Sequence, residues 1–181
     1  GLAGLFWALS SRTLAIPGVA LSRAKVLALA RGVIDHGGFN VDPDMAAAIA
    51  EIESSNNPLA IRFEPGIGDA SVGLMQTLLG TARWLATDMA FVRFGTPTLA
   101  DLLDPQVSMY FGAAYLHWLR RYRGTLRDDD WVVMSYNGGP GANNRATREY
   151  LAKYKKLRFG EDFGLDGPDK VDPNDLLGEF T

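Results

Sequence analysis

Residues 42–53 read Asp42-Pro43-Asp44-Met45-Ala46-Ala47-Ala48-Ile49-Ala50-Glu51-Ile52-Glu53, and this stretch sets the fold class. Asp42 offers a side-chain oxygen to the orphan N–H groups of a helix start, and Pro43 has the φ a first helical residue needs. The alanines that follow are the strongest helix formers. At roughly 100° per residue, Met45, Ile49 and Ile52 fall on one apolar stripe. Glu53 falls at the edge of that stripe, whereas Glu51 points to nearly the opposite side and is expected to be solvated. A carboxyl at the boundary between core and loop is desolvated in its anionic form, so its pKa rises. A general acid working near neutral pH needs that shift.

The same pattern extends along the chain. Asp-Pro pairs recur at Asp104-Pro105 and Asp172-Pro173 and mark further helix starts. Helices are predicted over 21–36, closed by Gly37-Gly38, then over 42–54, 76–90, 105–122, 131–136 and 144–158, with a short helical turn at 98–103. Asp128, Asp129 and Asp130 place negative charge at a helix start, where the macrodipole favours it. Residues 55–72 hold Pro58, Pro65, Gly66 and Gly68 and are predicted to form one long loop. No period-two run is long enough to predict a sheet, so the expected class is all-α.

Composition removes several functions. The 181 residues suffice for one core, and 47% hydrophobic with 22% charged residues excludes wholesale disorder. The chain has no cysteine, so disulfides, thiolate metal sites and cysteine nucleophiles are excluded. His36 and His117 are isolated and the tail aspartates lack the order of a calcium loop, so neither a metal nor a cofactor is expected. Net charge is −3, with seven acids against one base in 159–181 and a body of +3, too weak a charge for a nucleic-acid partner. The apolar start, Gly1 to Leu9, is interrupted by Ser10, Ser11 and Arg12 well short of a membrane span. It reads equally as a signal or anchor remnant or as a packed segment.

Glu53-Ser54 with Asn57-Pro58, then Gly73-Leu74-Met75-Gln76, then Tyr136-Asn137-Gly138-Gly139-Pro140-Gly141 resemble the soluble lytic transglycosylase (SLT) domain of the lysozyme-like superfamily. Thr81-Ala82, Gly112-Ala113-Ala114-Tyr115-Leu116 and Arg148-Glu149-Tyr150 support the likeness, which covers about 40–158. The resemblance implies a mainly helical, lysozyme-like fold with two helical lobes flanking a glycan-binding cleft. It divides the chain into an N-terminal helical segment (1–39), a catalytic domain (40–158) and an acidic tail (159–181).

The implied partner is the peptidoglycan glycan strand, cut between N-acetylmuramic acid and N-acetylglucosamine with formation of 1,6-anhydromuramoyl ends. A monomer in a compartment facing the cell wall is expected. Most glycosidases need two carboxylates, whereas this family uses one. By resemblance Glu53 is acid and then base, with Tyr136 donating its hydroxyl to Glu53. Ser54 bonds either the substrate acetamido group or Glu53, Gly73 admits the sugar to the backbone, and Met75 forms a cleft wall. Gln76 offers its amide to substrate, Asn137 fixes the turn that follows, and Tyr150 is a second candidate for the tyrosine role.

Glu53 to Gly73 is several residues longer than in the bacterial enzymes, and that loop favours a rival. Goose-type lysozymes share similar motifs but carry extra aspartates, and Asp69 could position a water for an inverting hydrolysis. Otherwise Asp69 is a turn former. A further alternative is a glycan-binding module without catalysis.

Overall fold

The computed structural model describes residues 19–160. The apolar start, the acidic run from Glu161 onward and the Asp172-Pro173 pair lie outside the described residues. Helix α1 (Arg23–Gly37) begins where the Ser22 hydroxyl accepts the Lys25 N–H and ends at Gly38 in the left-handed region. Helix α2 (Pro43–Ser54) starts as its sequence requires, with the Asp42 carboxylate accepting the Asp44 N–H at 3.0 Å. Then come α3 (Leu79–Thr87), α4 (Pro105–Arg120), α5 (Asp129–Gly138) and α6 (Arg145–Phe159). Asp104 caps α4 and Asp128 caps α5, while Asn144 and Thr147 form a reciprocal capping box on α6. The mainly helical class is as expected. Among the described residues no helix is long and apolar enough to cross a membrane.

Helix α2 is buried on more sides than one stripe. Met45 through Ala50 are all buried, because short alanine side chains let α1, α4 and α6 pack around it. Glu51 is therefore not freely solvated. It is half-buried, with a carboxylate oxygen 3.4 Å from Arg23 Nη1.

The absence of a sheet and the long loop over 55–72 are both corrected by the structure. Strands β1 (Ile61–Glu64), β2 (Asp69–Val72) and β3 (Thr77–Leu78) form an antiparallel sheet in chain order. Ile61 pairs with Val72 and Glu64 with Asp69, so Pro65-Gly66-Ile67-Gly68 is a hairpin turn, with Gly68 at φ 65°. Strands of two to four residues are too short to show alternation in the sequence, and the Pro and Gly that read as loop are the turn itself. The helix expected from 76 starts at Leu79 for the same reason, since Thr77 and Leu78 are strand.

The link between β2 and β3 packs into the interior. Gly73 has φ +76°, and a Cβ there would lie 2.0 Å from the Leu102 carbonyl oxygen and 2.8 Å from Ser108 Oγ. Ser108 Oγ accepts the Met75 N–H at 3.0 Å. On α4, a Cβ at Gly112 would lie 2.6 Å from Met75 Cγ, so Gly112 makes the room that Met75 fills. Helix α3 packs against both the sheet and α4.

Gly73→Ala should therefore destabilise the fold by roughly 3 kcal/mol or more, from left-handed strain plus the clash with Leu102. Urea unfolding measures this. An unchanged midpoint would show that the turn at 73–76 does not depend on close backbone approach.

Candidate active site

Glu53 occupies the last turn of α2, which ends at Ser55 with φ 53°. Its Oε1 accepts a hydrogen bond from the Tyr150 hydroxyl at 2.7 Å. Tyr150 is buried on α6, which packs against α2, so these two helices fix the carboxyl. It borders a cleft of about 450 Å³. The sheet contributes Arg62, Glu64 and Ser71 to that cleft, α4 contributes Tyr115, and the end of α5 contributes Tyr136 and Asn137.

Burial raises the Glu53 pKa above the ordinary carboxylate range. The Tyr150 hydrogen bond and the Arg62 charge pull it down, but by less. Burial likewise raises Tyr150 well above a normal phenol, with the neighbouring Glu53 charge adding to it. Tyr136 is raised for the same two reasons, burial first. Both phenols therefore remain protonated donors throughout the physiological range.

Several expected roles move. The Tyr136 hydroxyl donates to the Met75 carbonyl at 2.8 Å and lies 3.5 Å from Thr77 Oγ1, so Tyr150 and not Tyr136 holds Glu53. Ser54 is buried, with its Oγ 2.7 Å from the Leu74 carbonyl and 3.0 Å from the Ala50 carbonyl. It fastens α2 to the turn and does not bond Glu53. Gly73 faces Leu102, inside the protein, and not the cleft where a sugar would approach its backbone, and the Met75 side chain is wholly buried against Gly112 and forms no cleft wall.

Gln76 does border the cleft, but its Nε2 protons go to the Ala60 and Gly73 carbonyls, each at 2.9 Å. Its Oε1 has no partner. Asn137 is exposed at the cleft. Ser135, not Asn137, ties the turn after α5: the Gly141 N–H donates to Ser135 Oγ at 3.0 Å and the Gly139 N–H to the Ser135 carbonyl at 2.9 Å.

Asp69 is not among the cleft residues. Its carboxylate accepts the Ala70 N–H at 2.7 Å and the Gly80 N–H at 3.0 Å, across the first turn of α3. It serves as a cap supplied from β2 to α3, whose own N-cap residue, Leu78, has no side-chain bond to give. A Cβ at Gly80 would lie 2.7 Å from Asp69 Oδ2, so the glycine makes that cap possible.

Arg62 and Glu64 lie in the longer stretch between Glu53 and Gly73, and sequence reasoning assigned neither side chain a role of its own. Arg62 Nε donates to Glu64 Oε1 at 2.7 Å, and Ser71 Oγ lies 3.1 Å from the same oxygen. Residues i and i+2 of a strand share a face, so Arg-Phe-Glu at 62–64 carried the signal, but only to a reading that had recognised a strand. Among the described residues no group of three or more His, Cys, Asp or Glu could hold a metal ion. Both histidines meet the backbone: Nδ1 of His36 lies 2.6 Å from the Gly32 carbonyl, and Nδ1 of His117 accepts the Asn40 N–H at 2.8 Å. The cleft thus holds one desolvated carboxyl, Glu53, while Glu64 is ion-paired with Arg62.

Comparison with known proteins places residues 35–159 within the family model described as the transglycosylase SLT domain. A transglycosylase of Enterobacteria phage PRD1 is 32% identical over 132 residues, covering 72% of this chain and 42% of that protein. The membrane-bound lytic murein transglycosylase C of Edwardsiella ictaluri is 34% identical over 112 residues, 58% of this chain and 29% of the relative. The chain therefore spans less than half the length of these curated relatives. Among solved structures, the 70 kDa soluble lytic transglycosylase of Escherichia coli matches with a TM-score of 0.47 and 26% identity, over 70% of this chain and 19% of that one.

The raised carboxyl has a consequence for stability. Above pH ~4.3 the unfolded chain releases the Glu53 proton, while the folded protein retains it up to its own higher pKa. Across that window the native state binds more protons, so stability falls as pH rises. Glu53→Gln removes this penalty. Its Tm should exceed that of the parent at pH ~8, with the gain vanishing below pH ~4. A difference independent of pH would contradict the raised pKa.

Proposed function

Because the chain belongs to the transglycosylase SLT domain family, we propose that it cleaves the β-1,4 bond between N-acetylmuramic acid and N-acetylglucosamine in peptidoglycan, leaving 1,6-anhydromuramoyl ends. The observation that carries the proposal is the Glu53 carboxyl, desolvated beside the cleft and held by Tyr150 at 2.7 Å. In this reading residues 40–158 form the catalytic domain.

Glu53 gives its proton to the glycosidic oxygen as the C1–O bond breaks, and the leaving sugar departs as an alcohol. The acetamido carbonyl of the muramoyl residue shields the positive charge at C1. The Glu53 carboxylate then takes the proton of the muramoyl 6-hydroxyl while that oxygen bonds to C1, which restores the acid without consuming water. During the anionic interval the Tyr150 hydroxyl donates to the carboxylate, and the Arg62 charge stabilises it. Both groups are in place before the proton moves, so stabilising the new anion requires little reorganisation.

Gln76 has its Nε2 protons on the Ala60 and Gly73 carbonyls and its Oε1 buried, so its amide braces the turn at 73–76 and is not offered to substrate. Asn137 offers its amide to sugar hydroxyls, and Tyr136 shapes the cleft beside Glu53 while bracing the Met75 carbonyl. The hydrolase alternative required Asp69 to position a water. Its engagement by the Ala70 and Gly80 N–H groups weighs against that role.

The test is digestion of purified peptidoglycan in heavy-oxygen water, with mass spectrometry of the muropeptides. Anhydro ends free of heavy oxygen are expected. Glu53→Gln should lower turnover by about a thousandfold, and Asp69→Asn should leave the product type unchanged. Reducing ends that carry the label would overturn the transglycosylase reading.

A further inference from the structure

A second groove lies at the end of α2 and shares no lining residue with the cleft. It measures about 570 Å³, with Glu51, Ile52 and Ser55 on one side and Lys153, Lys156 and Leu157 of α6 on the other. Ile52 and Leu157 supply apolar surface, and both lysines are exposed.

The charge around this groove is one-sided. Arg23 adjoins it, 3.4 Å from the Glu51 carboxylate and donating from Nη2 to the Leu157 carbonyl at 3.2 Å. Three bases, Arg23, Lys153 and Lys156, thus stand around one acid, Glu51. Other bases of α6 are engaged elsewhere: Arg145 with Glu149, Lys155 with Asp130 and Arg158 with Asp42.

The opposite charge follows directly in the sequence. Helix α6 ends at Phe159, and Gly160 takes the left-handed conformation, φ 70°, which stops a helix and redirects the chain. Lys156 and Lys153 precede Gly160 by four and seven residues, about 6 and 10 Å along the axis. The next six residues are Glu161-Asp162-Phe163-Gly164-Leu165-Asp166, in which acids bracket two apolar side chains.

We propose that residues 161–166 fold back from Gly160 into this groove, with their acids toward Lys153 and Lys156 and Phe163 against Ile52 and Leu157. Exposed ion pairs are individually weak, so the two surfaces would scarcely bind as separate molecules. A tether of a few residues raises the effective concentration to the millimolar range, which suffices for a weak contact. Docked there, the segment lies against Ser55 and Asn56, successive left-handed residues that end α2, with φ 53° and 60°. Non-glycine residues hold that conformation only where their surroundings enforce it. The segment therefore braces the end of the helix that carries Glu53 without entering the cleft, whatever reaction the cleft performs.

The chain has no cysteine, so a nitroxide on Gly167→Cys gives a single label, read by paramagnetic broadening of backbone amide signals in the otherwise intact protein. Asp42 and Asp44 flank the same end of α6 through Arg158 and serve as the control side. Broadening should be stronger at Ser55 and Asn56 than at Asp42 and Asp44, and the asymmetry should fade at 1 M salt, where the Debye length is ~3 Å. Lys153→Glu with Lys156→Glu should bring the two sides to equal broadening, and adding Glu161→Lys with Asp162→Lys should restore the difference. Equal broadening in the parent chain, or an asymmetry that survives both charge reversal and salt, would overturn the proposal. Groove broadening that arises only on mixing spin-labelled chain with isotope-enriched unlabelled chain would make a second copy the occupant, and would overturn it too.

Discussion

The buried turn at 73–76 is the constraint from which the site is built. A buried turn must find a partner for each of its backbone groups, and here the partners come from almost every neighbouring element. Ser54 on α2 bonds the Leu74 carbonyl, Ser108 on α4 accepts the Met75 N–H, and Tyr136 on α5 donates to the Met75 carbonyl. Gln76 reaches back to Ala60 at the entry to β1, and Gly73 closes onto Leu102. Because Ser54 follows Glu53 directly, locking the turn also locks the end of α2 that carries the acid. The hairpin, the helices and the carboxyl are registered to one another through four residues.

That arrangement divides labour between two tyrosines. Tyr136 belongs to the scaffold of the turn and Tyr150 to the carboxyl, although both are buried donors that feel the Glu53 charge. Burial is the largest influence on Glu53 and raises its pKa, which favours the protonated acid. The weaker opposing influences, the Tyr150 hydroxyl and the Arg62 charge, matter most once the proton has left. Glu64 holds Arg62 from the side, and Asp69 is spent on the start of α3. Two acids on the hairpin are thereby committed to structure, which is consistent with one carboxyl doing the proton chemistry.

The sequence was legible where local rules are strong. Asp42-Pro43 and Asp104-Pro105 start helices as their chemistry demands, and the phase of 42–53 puts Glu53 at the edge of the apolar stripe, although it misjudged Glu51, which is half-buried beside Arg23. It was less legible where the outcome depends on partners distant along the chain. Which tyrosine reaches Glu53 is decided by α6 packing on α2, a contact spanning 97 positions. The functions of Ser54, Gly73 and Met75 follow from burial of the turn, which resemblance of motifs does not reveal. The hairpin escaped because its strands are four residues long, and with it went Arg62 and Glu64. The alanines of α2 read as helix formers but act equally as packing spacers.

The proposed chemistry depends on the protonation of Glu53, which can be measured directly. A carbon-detected NMR titration of selectively labelled glutamate, assigned with Glu53→Gln, gives the pKa of this one carboxyl. The expected result is a value clearly above the ordinary glutamate ~4.3, rising further in Tyr150→Phe, where the donor to the carboxylate is lost. A titration at the ordinary glutamate value, unmoved by Tyr150→Phe, would contradict the desolvated, tyrosine-held acid on which the proposed chemistry depends.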